Sequence, residues 1–134
     1  MEIRHVCLVV RDLKLMTNFY RKNFNFNVVS RKTIKGKYPD KLLHLYGTSL
    51  TYVKLNAGTI LLELIHFNNP EIIAPITFNH IALTVKKLDE LYNKLVKQGV
   101  HFTSPPIKAP DSNVKVCFCI DPESNRLELV EELK

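Results

Sequence analysis

Two histidines and two glutamates recur at matching places in this 134-residue chain. His5 precedes Glu63 by 58 residues, and His80 precedes Glu128 by 48. Each histidine opens an apolar run, HVCLVV or HIALTV, and each glutamate sits inside a Leu-Glu-Leu triplet, 62–64 or 127–129. Taken singly, none of the four demands a function. A histidine at the head of a strand is ordinarily a core residue with a satisfied hydrogen bond. A carboxylate in a strand ordinarily faces solvent on a one-sided sheet. Two imidazoles and two carboxylates at equivalent places of a repeat are a different matter. They make a mixed N/O donor set, which suits Zn, Ni, Co, Fe or Mn and does not suit thiolate-preferring ions.

The elements that must position these groups repeat as well. Aligning His5 with His80 brings Val6 and Ile81, Leu8 and Leu83, Val10 and Val85, and Leu13 and Leu88 into register without a gap. The alternation predicts a strand in each half. A helical pattern follows each strand, Leu13, Met16, Phe19 and Tyr20 in the first and Leu88, Leu91, Leu95 and Val96 in the second. Asn25 and Gly99 stand where helix C-caps belong. Further strand material follows: KLLHLYG, LTYVKLN and TILLELIHF in the first half, VHFTSP, VKVCFCI and RLELVEE in the second. Turns are expected at Ala57-Gly58 and in DPESN.

Each half therefore reads β-α-β-β-β. The predicted fold class is α+β, built from two tandem βαβββ modules, residues 1–67 and 79–134, joined by a linker over 68–78 that holds Pro70 and Pro75. The basic stretch RKTIKGKYPDK (31–41) reads as a solvated loop, and it absorbs the longer spacing of the first half.

Strand parity places Cys7 and Val9 with His5, Ala82 and Thr84 with His80, Leu61 and Ile65 with Glu63, and Arg126 and Val130 with Glu128. If the halves pack by a pseudo-twofold axis, the four donors converge. His66 has parity opposite to Glu63, and His44 and His101 have no counterparts in the repeat, so these three are expected to be structural or exposed.

Composition narrows the class. Hydrophobic residues make up 46% and charged residues 24%, which is enough apolar material for a core without staples. The net charge of +6 comes from lysines scattered along the chain, with no aromatic-interleaved basic patch, so nucleic acid is not an expected partner. Three cysteines, Cys7, Cys117 and Cys119, lack zinc-finger spacing and read as reduced core residues. The N-terminus lacks a signal-peptide layout, and no apolar run approaches the roughly 18–20 residues needed to span a bilayer. A cytoplasmic location and no membrane partner are the expectation.

The stretches HVCLVVRDL, LLEL, NHIALTV and DPESNRLELVE, in this order, resemble the vicinal oxygen chelate superfamily, which includes glyoxalase I (lactoylglutathione lyase), methylmalonyl-CoA epimerase, extradiol dioxygenases and the fosfomycin- and bleomycin-resistance proteins. The resemblance covers essentially the whole chain. Ser124 departs from the glycine usual in the closing turn. It implies a cupped mixed sheet holding one divalent ion (Zn, Ni, Co or Mn) on His5, Glu63, His80 and Glu128, as in glyoxalase I. Dioxygenases typically use the two histidines and the last glutamate alone, and bleomycin-binding members lack the set.

The implied chemistry is that of a lyase or isomerase acting by proton transfer next to a carbonyl, with Glu128 or Glu63 as the base. The implied substrate is a small thiol adduct or acyl-CoA ester, and the implied assembly is a homodimer. The glutathione anchors of glyoxalase I are not visible: Val9 stands where an arginine is common, with Arg11 two positions on, and Phe67 stands where an asparagine is found. The stretch YVKLNAGTILLELI resembles the epimerase counterpart, and Arg126 is a candidate anion anchor. A metal- or ligand-binding module without turnover is the alternative.

Overall fold

Period-two alternation and helical spacing resolve, in the computed structural model, into nine strands and three helices among the described residues, 1–69, 78–120 and 126–134. In chain order these are β1 (Glu2–Val9), α1 (Leu13–Phe24), β2 (Asn27–Lys35), α2 (Lys37–Leu43), β3 (Ser49–Asn56), β4 (Leu61–Phe67), β5 (Phe78–Thr84), α3 (Leu88–Lys97), β6 (His101–Phe102), β7 (Ile107–Lys108), β8 (Val114–Ile120) and β9 (Arg126–Glu132). The class is α+β, as the repeat predicts. The linker expected over 68–78 falls largely on residues 70–77, and the DPESN turn on 121–125; both lie outside the described residues.

All nine strands join one open, curled sheet in the order β2-β3-β4-β1-β5-β9-β8-β6, with β7 also on β8. The two repeat-initiating strands lie side by side and antiparallel at its centre, with Cys7 opposite His80 and His5 opposite Ala82. Each runs parallel to the last strand of its own half, β4 beside β1 and β9 beside β5. This order is the topological form of the pseudo-twofold relation.

Helix ends follow the local chemistry. Asp12 caps α1 by accepting from the Leu15 N–H at 2.9 Å, and Asn25 closes it in the left-handed region. The start of α3 has no cap of its own, because Lys87 cannot supply one. The Glu131 carboxylate from β9 accepts from the Lys87 and Leu88 N–H groups instead, at 3.1 and 2.9 Å. Gly99, at φ +86°, lets the chain turn away after α3.

The sheet has two differently employed faces. On one, α1 packs Leu13, Met16 and Tyr20 onto Val53, Leu55 and Leu64, and α3 packs Leu88, Leu91 and Leu95 onto Cys117, Cys119 and Leu129. Full burial of each large apolar side chain contributes roughly 1.5–3 kcal/mol. The other face is concave and carries His5, Cys7, His80 and Ala82 along its centre.

Two sequence expectations are corrected here. The stretch 31–41 is not a loop, because residues 27–35 form β2 and 37–43 form α2, jointed at Gly36 with φ +94°. Arg31, Thr33 and Lys35 face solvent while Lys32 and Ile34 turn inward, so a strand of polar character still alternates. Pro39 sits in the first turn of α2, where its missing N–H breaks no bond. KLLHLYG is likewise not a strand, since the helix runs to Leu43 and ends at His44 in the left-handed region. The reason is tertiary. Leu42 of α2 is buried against Ala82, Val116, Phe118 and Val130, so the helix fills part of the cup rather than extending the sheet.

Candidate metal centre

The strand registers bring the four donors together within a single chain. Glu63 on β4 lies opposite Cys7 on β1, and Glu128 on β9 lies opposite Ala82 on β5. Because Cys7 also pairs with His80 and Ala82 with His5, the small side chains of Cys7 and Ala82 form the floor between the four larger groups. Both floor residues are wholly buried, and His5, Glu63 and His80 are buried as well.

Three donor atoms form a tight triangle. His5 Nε2 and His80 Nε2 stand 2.9 Å apart, and Glu128 Oε2 lies 3.2 Å from the first and 3.0 Å from the second. Neighbouring ligands about 2.1 Å from one ion stand about 3.0 Å apart in an octahedral arrangement and about 3.4 Å apart in a tetrahedral one. The triangle therefore has the edges of one face of an octahedral site, and its donor set fits a divalent ion. Glu63 stands just outside, its Oε2 3.8 Å from His5 Nε2 and 3.8 Å from Lys54 Nζ. Cys7, Glu63 and His80 also present donor atoms within 4.8 Å of one another.

The two imidazoles are held differently. Asn79 Oδ1 lies 2.7 Å from His80 Nδ1 and accepts its proton, so a neutral His80 would turn its Nε2 lone pair toward an ion in the triangle. The His80 ring also meets Phe118 edge-on at 5.3 Å. His5 Nδ1 is buried with no partner among the described residues.

Charge is equally uneven. Burial works to raise the Glu128 carboxyl, yet hydrogen bonds from His5 and His80 outweigh it and hold the group well below the usual carboxylate range. Burial, reinforced by the Glu63 and Glu128 carboxylates, pushes the Cys7 thiol far up. The thiol stays protonated and neutral.

Above the triangle opens a cavity of about 470 Å³, a size suited to a small molecule. Its walls include residues the sequence reading did not single out: Arg4, Lys32, Tyr38, Tyr52 and Lys54. Tyr52 and Lys54 were legible, since they alternate with the core residues Val53 and Leu55 in LTYVKLN. Arg4 was not. A β-bulge between Ile3 and His5 interrupts the pairing and brings Arg4 to the cup wall, where it donates to Glu132 at 2.6 Å. Arg126, the anchor suggested by parity, stands beside His80 in register but is not among the residues lining the cavity. His66 lies 3.3 Å from the Val10 carbonyl oxygen, and His44 and His101 are exposed.

Residues 2–129 match the family model of the Glyoxalase/Bleomycin resistance protein/Dioxygenase superfamily. No curated protein shows significant similarity to the sequence. Among solved structures, the chain is similar to a hypothetical protein from Bacillus halodurans C-125, with TM-score 0.74 and 20% identity over 99% of this chain and 95% of that one. It is also similar to methylmalonyl-CoA epimerase from Mycobacterium tuberculosis, with TM-score 0.73 and 17% identity over 98% and 88%. A third is a Streptomyces coelicolor methylmalonyl-CoA epimerase in complex with 2-nitronate-propionyl-CoA, with TM-score 0.69 and 16% identity over 100% and 99%. At these identities the likeness is one of fold.

Proposed function

The chain belongs to the glyoxalase/bleomycin resistance protein/dioxygenase superfamily, and on that premise we propose that it is a divalent-metal-dependent enzyme of the lactoylglutathione lyase and methylmalonyl-CoA epimerase type, transferring a proton next to a carbonyl. One observation carries the reading: His5 Nε2, His80 Nε2 and Glu128 Oε2 converge to within 3.2 Å of one another beneath a cavity of small-molecule size. These three residues would hold the ion. A bound Zn, Ni, Co or Mn ion supplies a Lewis acid for the substrate's carbonyl oxygen and for the charge that develops there.

Glu63 is the group placed to take the proton. It stands beside the triangle, and its Oε2 comes no nearer than 3.8 Å to His5 Nε2, whereas Glu128 Oε2 is a corner of the triangle, 3.2 and 3.0 Å from the two imidazole Nε2 atoms. The proton returns either to the adjacent carbon, the lyase outcome, or to the opposite face of the same carbon, the epimerase outcome. Val9 and Phe67 in place of the glutathione anchors weigh against a glutathione adduct. The epimerase neighbour with an acyl-CoA analogue bound supports an acyl thioester as the first substrate class to examine.

The test is solvent deuterium incorporation at the α-carbon of acyl-CoA esters and thiohemiacetals, with the protein loaded in turn with Zn, Ni, Co and Mn. Exchange is expected with metal and is abolished by chelation. Glu63→Gln should lower exchange by about 10²-fold or more while metal stays bound, the usual scale for losing a general base. If Glu128→Gln alone shows that pattern, the roles of the two carboxylates are reversed. If neither variant departs from wild type, proton transfer is the wrong chemistry and a binding module without turnover takes its place.

A further inference from the structure

One short helix enters the cup that the repeat does not call for. The second half has no counterpart of α2, since β7 leads to β8 there without a helix. Two sets of contacts fix α2 in place. The Asp40 carboxylate accepts from the Gly47 and Thr48 N–H groups at 3.1 and 2.7 Å, and Leu42 is buried. Tyr38 stands four residues before Leu42, so the two share a helix face, and both line the cavity. The half-buried Tyr38 ring packs against the cluster of Leu42, Ala82, Val116, Phe118 and Val130. Apart from Leu42 these residues belong to β5, β8 and β9, whereas Glu63 is on β4, across β1 from them. Ala82 is the floor between His5 and Glu128, and Phe118 meets His80 edge-on and lies opposite Glu128. Tyr38 is thereby held on the Glu128 side of the triangle. Its hydroxyl has no hydrogen bond among the described residues, although a buried tyrosine usually finds a partner. Burial, reinforced by the Glu128 and Asp111 carboxylates, pushes the phenol far up, so it keeps its proton. Such a group is no base, but it can donate.

We propose that Tyr38 is a catalytic hydrogen-bond donor, its hydroxyl directed to the substrate oxygen on which negative charge develops, from the side of the cup opposite Glu63. The proposal rests on the metal-centre reading above. The proton stays on the phenol throughout, and only the hydrogen bond strengthens as charge builds on the oxygen. Base and donor then flank the substrate, Glu63 from the first half and Tyr38 from a helix packed on the second. A donor fixed by Asp40 and Leu42 needs no reorganisation when the charge appears. Tyr52 is the natural comparison, a second phenol on the cavity wall. It packs against the cluster of Cys7, Leu50 and Ile65 on the Glu63 side, and its ring centre lies 5.3 Å from the Lys54 ammonium. The donor role falls to Tyr38 because it alone of the two is anchored beside Glu128 and Phe118.

The experiment titrates the cobalt-loaded protein with two probes, following the visible cobalt spectrum, after cobalt affinity has been measured on each variant. Acetohydroxamate presents an enolate-like pair of oxygens that can accept from a phenol. Imidazole binds through nitrogen and offers no acceptor once bound. Tyr38→Phe keeps the ring and removes the hydroxyl. It should weaken acetohydroxamate binding by about 10–100-fold, the scale of one hydrogen bond to a charged group, with imidazole and cobalt affinity changed by less than about 3-fold. Tyr52→Phe should change all three by less than about 3-fold. Tyr38→Met, which also lacks the hydroxyl, substitutes if the phenylalanine variant does not fold. Equal weakening of both probes, or of neither, overturns the proposal. So does a selective loss of acetohydroxamate in Tyr52→Phe alone, a loss of cobalt affinity in Tyr38→Phe, or a cobalt-loaded wild type that does not bind acetohydroxamate. A wild-type protein that takes up no cobalt overturns the metal-centre reading and this proposal with it.

Discussion

Glu63 and Glu128 occupy equivalent registers in the two halves, yet their surroundings are opposites. Glu63 lies between Cys7 and Lys54 on its neighbouring strands, while Glu128 lies between Ala82 and Phe118. A thiol and an ammonium face one carboxylate, a methyl and a phenyl ring the other. The duplicated backbone delivers two histidines and two glutamates to one floor by symmetry. Side chains one strand away then break that symmetry, and in the proposed chemistry they separate the roles of the two acids. The histidines diverge in the same sense, since Asn79 backs His80 while His5 Nδ1 has no partner among the described residues. The halves also differ at their edges. β2 is nine residues long, whereas its counterpart is broken into β6 and β7 of two residues each, separated by a stretch with Pro105 and Pro106.

The largest effect tests the part of the comparison that is symmetric. His5→Ala and His80→Ala should each weaken metal binding by more than the roughly 10–100-fold typical of losing an outer partner. Both should still fold cooperatively, since the apolar faces of β1 and β5 against the helices are untouched. Isothermal titration with Zn and a thermal melt give the two readouts. One histidine proving dispensable for metal while the other is essential would break the symmetric centre.

The symmetric centre was also the part most legible in sequence. His5 and His80 stand in an ungapped repeat, and period-two parity fixes their face without knowledge of any partner strand. The helices α1 and α3 were legible through their spacing and through Asn25 and Gly99. What broke the symmetry was not legible, because it depends on contacts distant in sequence. Lys54 and Glu63 are nine positions apart along the chain, and only the β3–β4 register sets them opposite. The apolar side of α2 is specified by Ala82, Val116, Phe118 and Val130 from the other half, so KLLHLYG carried no local sign of being helical. Arg4 reaches the cup through a bulge, which parity counting assumes away.

A smaller effect sharpens the difference between the histidines. Asn79→Ala removes the acceptor that fixes the His80 tautomer. It should weaken Zn or Co binding by about 10–100-fold, the range for an outer hydrogen-bond partner of a ligating histidine, with thermal stability little changed. His80→Ala should lose more than Asn79→Ala, because it removes the donor atom itself. An Asn79→Ala protein that binds metal as tightly as the wild type would mean that the triangle alone orients His80, and the two histidines would then be equivalent in practice.

The smallest effect concerns the floor. Cys7→Ala makes the residue beneath Glu63 the same as Ala82 beneath Glu128. The substitution removes one buried sulfur atom, so stability should fall by about 1–2 kcal/mol in a denaturant titration. Metal affinity should move by less than about 3-fold (~0.65 kcal/mol) if only nitrogen and oxygen atoms ligate. The alternative is specific: Cys7, Glu63 and His80 also bring donor atoms together, and a thiol that ligates must lose its proton. Burial and two carboxylates oppose that loss, which argues for a neutral thiol serving as packing. Cobalt distinguishes the cases directly. A wild-type cobalt protein without an intense sulfur-to-cobalt charge-transfer band, and a Cys7→Ala protein with an unchanged cobalt spectrum, leave the thiol as floor and the His5–His80–Glu128 triangle as the seat. An intense band in the wild type that disappears in Cys7→Ala would move the ion toward Glu63 and reverse which carboxylate is ligand and which is base.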